Sequence, residues 1–297
     1  MPELRFDGRV AIVTGAGGGL GRGHAIELAR RGAAVVVNDL GGSVDGQGQS
    51  ESAAQRVVDE ILAFGGQAVA NYSSVATPEG GADIVRAAVE SFGRVDVLVN
   101  NAGILRDKAF HHMDAVMIDT VLDVHLKGAL YVSQHAFSFM RAQGYGRIVN
   151  TSSGSGLFGN FGQANYGAAK AGLVGLVRVL ALEGEGHGIR TNAIAPLAAT
   201  RMTANLLGDL AEKVTPESVS PVVAYLAHES CAVNGNFYSV AGGRVARIFI
   251  AETQGVVLPD LTAESVRDAL PNIHDTTGYF LPESLDDEIR NIAKALA

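Results

Sequence analysis

Arg9-Val-Ala-Ile-Val-Thr14 runs directly into Gly15-Ala-Gly-Gly-Gly-Leu-Gly21, and this junction decides the fold. The first six residues are a short β-branched run without polar alternation, which predicts a strand buried on both faces of a parallel sheet. The glycines let the backbone turn sharply, and the chain from about Leu20 to Arg31 reads as a helix. A glycine cluster alone is as readily an ordinary tight turn. With a strand before it and a helix after it, the cluster has the context in which a pyrophosphate sits on a helix N-terminus.

The pattern repeats outward from this unit. Ala34–Asp39 reads as a second buried strand. A polar, glycine-rich loop from Gly41 to Gln49 follows, then a helix from about Glu51 to Phe64. Further strands are predicted at Ala68–Tyr72, Val95–Asn100, Arg147–Thr151 and Thr191–Ala195, each followed by a helical stretch, with Phe237–Val240 closing the series. Strands alternating with helices imply right-handed βαβ crossovers and a doubly wound parallel sheet with helices on both faces. Residues 1–243 therefore read as one Rossmann-type α/β domain. Residues 244–297 read as an extension, with an extended segment at Arg247–Thr253 and helices at Thr262–Leu270 and Ser284–Leu296. Thr262 and Ser284 are candidate N-caps.

Composition narrows the class. The chain has 297 residues, 47% apolar and 18% charged, which suits a globular protein with a sizeable core. A net charge of −8 supplies no basic face for nucleic acid. The single cysteine, Cys231, excludes an internal disulfide and suits a reducing compartment. No apolar run reaches the ~18 residues of a membrane span, the first residues show no apolar leader, and Ala295-Leu296-Ala297 is not a peroxisomal address. The expectation is a cytoplasmic protein with no membrane insertion.

Two clusters carry chemistry. At the nucleotide end, Asp39 closes the second strand 18 residues past Gly21. A carboxylate there accepts from both adenosine ribose hydroxyls and repels a 2′-phosphate, and no Arg stands at positions 38 to 41, so the expected cofactor is NAD rather than NADP. Asn100-Asn101-Ala102-Gly103 ends the fourth strand, where small residues allow close packing and the Asn side chains can tie strands together. At the other end, Ser153 follows the strand Arg147–Thr151, and Tyr166 and Lys170 lie one turn apart on a helix face. Tyr-x-x-x-Lys is a common accident. With Ser153 thirteen residues before it, the pair suits proton transfer at an alcohol or carbonyl carbon beside a nicotinamide. Ser153 would hold the substrate oxygen and Tyr166 would take or give its proton. Lys170 would lower the Tyr166 pKa and hold the nicotinamide ribose.

Thr14-Gly-x-x-x-Gly-x-Gly21, Asn100-Asn-Ala-Gly103, Ser153 and Tyr166-x-x-x-Lys170, in this order and spacing, resemble the short-chain dehydrogenase/reductase family over roughly residues 8–243. Val37-Asn-Asp-Leu-Gly-Gly42, Asn101-Ala-Gly-Ile-Leu-Arg-Asp107, Val124-His-Leu-Lys-Gly128 and Gly159-Asn-Phe-Gly-Gln-Ala-Asn-Tyr166 resemble its (3R)-hydroxyacyl-CoA dehydrogenase subgroup, as does the tail after Gly243. The resemblance implies NAD-dependent oxidation of a (3R)-3-hydroxyacyl-CoA to the 3-ketoacyl-CoA in β-oxidation, on a fatty acyl or a steroid side-chain CoA. It also implies a catalytic set of Ser153, Tyr166 and Lys170, with His125 where many members carry Asn. There the backbone serves whatever the side chain, or the imidazole joins a proton relay.

The cofactor contacts so implied are Gly15, Gly19, Leu20, Gly21, Asp39, Ser74, Val75, Asn101, Ala102, Gly103, Tyr166, Lys170, Pro196 and Thr200, with a lesser backbone contribution from Ile194. Relatives pair through the helix after Tyr166. That helix is apolar nearly all round, with Gly172 and Gly175 allowing close approach, so a homodimer or tetramer is expected. A separate enoyl-CoA hydratase is a further partner the resemblance suggests. The short Thr200–Pro216 segment would leave the crevice open for a bulky substrate.

Rival readings are a 3-ketoacyl-thioester reductase, which usually draws on NADPH, a free hydroxysteroid dehydrogenase, and a non-catalytic NAD-binding protein, which typically lacks the Tyr or Lys. No metal is expected: His111 and His112 have no ligand cluster around them. His24 reads as a packing or capping residue and Cys231 as a small buried hydrophobe.

Overall fold

The computed structural model describes residues 3–48, 50, 52–200 and 208–297. β1 (Val10–Thr14) and α1 (Gly19–Arg30) form the predicted opening unit, followed by β2 (Ala34–Asn38), α2 (Ser52–Ala63), β3 (Gln67–Asn71), α3 (Pro78–Phe92) and β4 (Val97–Asn100). Then come α4 (Ala115–Leu122), α5 (Gly128–Gln143), β5 (Gly146–Thr151), α6 (Gly154–Phe158), α7 (Ala164–Glu185), β6 (Ile189–Pro196), α8 (Ser220–Ala227), β7 (Phe237–Ala241) and β8 (Arg244–Ile248). The sheet order is β3-β2-β1-β4-β5-β6-β7-β8, and every pairing from β3 to β7 is parallel. The chain winds outward in both directions from β1 and β4. The crevice at the carboxyl ends of these two strands is the topological switch point.

The two-residue period of each strand sorts its side chains into two cores. Ala11, Val13, Val35, Val37, Val97 and Val99 pack with residues of α1, α2 and α8 on one face. Val10, Ile12, Val36, Leu98 and Ile148 pack with residues of α3 and α5 on the other. A strand buried on both faces cannot alternate with polar residues, which is why the opening run reads as it does.

Helix boundaries follow local chemistry. The Thr77 side chain accepts from the Gly80 amide at 3.1 Å ahead of Pro78, and Gly93, at φ +79°, ends α3. Asp114 caps α4 by accepting from the Met117 amide at 2.8 Å. Between α4 and α5, Asp123–Lys127 is a π-helical turn, a register slip that apolar periodicity does not announce. Val95, predicted to begin β4, lies outside it because its amide and carbonyl are satisfied by the Gln143 side chain.

The described chain divides into two compact units, one ending at Arg247 and one spanning Ile248–Ala297. The second holds α9 (Ala263–Ile273) and α10 (Leu285–Leu296), each started by a capping box, Thr262 with Ser265 and Ser284 with Asp287. α9 continues through Pro271 to Ile273, three residues past the predicted end at Leu270. No residue of α9 or α10 is buried within this unit.

Candidate active site

Gly15 stands at φ +63°, and a Cβ there would lie 2.7 Å from the Ala102 Cα, so the turn and the end of β4 are in backbone contact. A Cβ on Gly21 would fall 2.2 Å from the Gly15 carbonyl oxygen. These two glycines fold the turn flat against its own helix and leave space outside it. The Asn101 Nδ2 donates to the Thr14 and Gly15 carbonyls at 3.0 and 3.1 Å, and the Thr14 hydroxyl accepts from the Asn101 and Ala102 amides. Asn101 therefore latches β4 to the glycine turn as well as lining the cavity beside it. The Asp39 carboxylate accepts from the Gly17 amide at 2.7 Å and the Gly41 amide at 2.6 Å, one oxygen each. That fixes it at the cavity wall with lone pairs to spare.

The cavity encloses about 450 Å³. Gly15, Gly19, Leu20, Asp39, Ser74 and Val75 line one part; Ala102, Gly103, His125, Ser153, Tyr166, Lys170, Pro196 and Thr200 line the rest. Gly21 stands behind the turn and Ile194 inside the sheet, its carbonyl accepting from the Ser152 amide at 2.7 Å. The Ser74 hydroxyl accepts from the Ala76 amide. Much of the Thr200–Pro216 expectation, and Glu51 at the predicted start of α2, lie outside the described residues.

Ser153 adopts extended backbone (φ −157°) after β5, and its hydroxyl accepts from the Ser155 amide at 3.2 Å. Burial raises the Tyr166 phenol above its ordinary range, a hydrogen bond with Ser153 pulls it down, and the Asp107 charge raises it further. Lys170 is buried, its Nζ 5.7 Å from the centre of the Tyr166 ring and donating to the Thr151 carbonyl. Its own pKa is pushed down to about 7 by burial. The hydrogen bond with Ser153 thus works against burial at the phenol, while burial reduces the charged fraction of Lys170 near pH 7.

His125 lies in the π-turn, its Nε2 2.7 Å from the Ile104 carbonyl oxygen and 3.0 Å from the Ile104 amide nitrogen. Its ring meets the Tyr166 ring edge-on at 5.0 Å and 87°. Burial, reinforced by Lys170, holds its pKa well below the ordinary value, so the ring is neutral near pH 7. A Cβ on Gly103 would stand 2.4 Å from the His125 Cε1. The Gly103–His125 contact had no signal in the sequence, since the two residues are 22 apart and meet only through the turn.

Other expectations sort readily. His24 is fully buried, its Nδ1 2.9 Å from the Ser220 hydroxyl, and burial lowers its pKa to about 3. Cys231 is buried. Among the described residues no His, Cys, Asp or Glu group is arranged to hold a metal, and no helix is long and apolar enough to cross a membrane. Gly172 packs against Leu126 of the same chain, a Cβ there falling 2.9 Å from that side chain, so its missing side chain serves an internal contact. Gly175 has open space beside it, and Val179 and Leu182 on the same helix are exposed.

A serine, a tyrosine and a lysine line the same cavity as a glycine turn and a carboxylate. The short chain dehydrogenase family model matches residues 9–210, and the chain belongs to that family. It is 47% identical over 298 residues to the peroxisomal multifunctional enzyme type 2 of Mus musculus, covering 99% of this chain and 40% of that enzyme. It is 39% identical over 262 residues to a hydroxyacyl-CoA dehydrogenase of Mycobacterium tuberculosis, covering 82% and 80%. The full-length peroxisomal multifunctional enzyme type 2 of Drosophila melanogaster superposes with a TM-score of 0.84 at 40% identity, over 99% of this chain and 50% of that one. The chain thus spans half or less of these multifunctional relatives. The family to which it belongs is one of dehydrogenases that normally use a nicotinamide cofactor.

Proposed function

We propose that the protein oxidises the 3-hydroxyl of a (3R)-3-hydroxyacyl-CoA to the 3-ketoacyl-CoA with NAD, a step of β-oxidation on fatty acyl or steroid side-chain thioesters. The observation that carries the reaction type is the convergence of Ser153, Tyr166 and Lys170 on one wall of the cavity. The thioester and its stereochemistry rest on the subgroup resemblance and on the name of the mycobacterial relative.

The residues present fit a dinucleotide. The turn at Gly15 is closed to side chains on its inner side, and Asp39 is held at the cavity wall where a ribose diol would be bound. Gly15, Gly19, Leu20 and Asp39 would hold the adenosine and pyrophosphate half. Lys170 and Thr200 would hold the nicotinamide half. The nicotinamide supplies the hydride acceptor. This chain's part is proton handling: Ser153 donates to the substrate oxygen, Tyr166 in its ionised form accepts the hydroxyl proton as the carbonyl forms, and neutral Lys170 takes the proton onward. Because burial lifts the Tyr166 pKa, the phenol is protonated at rest, and oxidation accelerates as pH rises toward that pKa.

The open space at Gly175 with Val179 and Leu182 exposed favours self-association through α7 as a homodimer or tetramer. A separate enoyl-CoA hydratase would supply the 3-hydroxy substrate, and we read the location as cytoplasmic. A panel of 3-hydroxyacyl-CoA esters, both enantiomers and several acyl groups, offered with NAD and with NADP and followed by NADH or NADPH absorbance, tests the proposal. Turnover of the 3R esters with NAD is expected. Turnover confined to free steroid alcohols, or to NADP, would contradict it.

A further inference from the structure

The loop after β2, described over Leu40–Gly48 and at Ser50, is anchored at its base and latched at its tip. At the base, Asp39 accepts from the Gly41 amide at 2.6 Å and the Ser50 amide donates to the Leu40 carbonyl at 3.1 Å. Gly41, at φ +76°, leaves no room for a Cβ against the Ser50 carbonyl. The two ends of the loop therefore meet, as in an Ω-loop. The tip is a turn of its own: the Ser43 amide donates to the Gln47 carbonyl, and the Gly46 amide to the Ser43 carbonyl, both at 2.9 Å. From there the chain reaches the loop after β4. The Val44 carbonyl accepts from the Leu105 amide at 2.9 Å, and the Asp45 carbonyl accepts from the Arg106 Nε at 2.9 Å. A Cβ on Gly46 would stand 3.1 Å from the Ile104 Cδ1. Sheet order gives this contact its meaning. β1 lies between β2 and β4, so the loop crosses two strand spacings, about 10 Å. It does so over the carboxyl end of β1, where the glycine turn begins. Gly42, Ser43, Val44, Gly46, Ile104 and Leu105 all line the cavity.

We propose that this loop is a strap that closes over the bound dinucleotide, and that Arg106 is the positioning residue that latches it and slows cofactor release. The proposal rests on the reading that the cavity takes a nicotinamide dinucleotide. Base and tip differ in strength. Asp39 grips the base through the Gly17 and Gly41 amides, whereas Ser43, Asp45, Gly46, Gln47 and Gly48 at the tip are exposed. A segment with so little burial opens at small cost, so the tip swings while the base holds. Cofactor enters with the latch undone. Once it rests on the glycine turn and Asp39, the strap shuts across it, and release waits for the latch to open again. The Arg106 carbonyl also accepts from the Asn165 Nδ2 at 3.1 Å, next to Tyr166. The latch residue is thereby fixed to the helix that carries the phenol, and the strap joins the two ends of the cleft.

Displacement of bound NADH by excess NAD, followed by nucleotide fluorescence in stopped flow, reads the release rate without substrate. Arg106→Ala removes the donor to Asp45 and leaves the Arg106 carbonyl for Asn165. Replacing Ser43–Gly48 by two glycines removes the tip and leaves the base. Release is expected to quicken about tenfold in Arg106→Ala, near the loss of one hydrogen bond from a charged donor, and at least as much with the shortened loop. Association is expected to be no slower in either variant, because the cofactor then meets no strap. Release within twofold of the parent rate in both overturns the proposal. Hydrogen exchange of the parent protein gives a second reading that needs no variant. Saturating NADH should slow exchange at the Leu105 amide, the donor to Val44, and exchange there that NADH leaves unchanged overturns the proposal. A parent protein that binds no NADH overturns the functional reading instead.

Discussion

The two ends of the cleft are built from opposite materials. At the nucleotide end, backbone does the shaping: Gly15 and Gly21 have no room for a side chain, and Asp39 is gripped by two amides. At the proton-transfer end, side chains are crowded out of water, and burial shifts Tyr166 up and Lys170 down. One end works by withholding volume, the other by withholding solvent. The first is sensitive to a single methyl group; the second answers to charge.

That contrast makes predictions of graded size. Gly21→Ala forces a methyl group to within 2.2 Å of the Gly15 carbonyl oxygen, so the turn must move. NAD affinity is expected to fall by roughly a hundredfold in calorimetric titration, about the loss of one or two good hydrogen bonds to a charged group. Near-normal affinity would mean that the turn is not held by that contact. A smaller effect belongs to Lys170→Met. Burial places the Lys170 pKa at about 7, well below the unfolded value near ~10.4. The cost of that burial is full below the folded pKa and fades as pH rises toward the unfolded one. Lys170→Met should therefore raise the melting temperature by a few degrees near pH ~6, by less near pH ~9, while activity is lost. A gain that grows with pH would reverse the sign of the argument.

The sequence disclosed the shaping end more fully than the charged one. Buried parallel strands write themselves as continuous apolar runs, so β1, β2, β5 and β6 and the glycine turn were readable without coordinates. The candidate N-caps Thr262 and Ser284 did the same for α9 and α10, short as they are. The electrostatics of the other end were not legible. Spacing puts Lys170 one turn from Tyr166, but says nothing of the burial that reduces the lysine's charge or of the hydrogen bond with Ser153 that works against burial at the phenol. His125 under Gly103, and Asp107 bound to Gln163 across 56 residues, depend on where the π-turn and the loop after β4 come to rest. Neither leaves a period or a motif. Gly172 shows the converse error, a glycine with an evident purpose in an intermolecular contact whose missing side chain instead admits Leu126.

Tyr166→Phe tests the division of labour most directly, with NAD binding and alcohol oxidation measured on the same preparation. The phenyl ring keeps the edge contact with His125 and lacks only the hydroxyl. Oxidation is expected to fall by roughly a thousandfold, within the range for loss of a general base, with NAD affinity changed less than about threefold. A variant that still oxidised its substrate at the parent rate, or one that lost cofactor binding along with turnover, would contradict it.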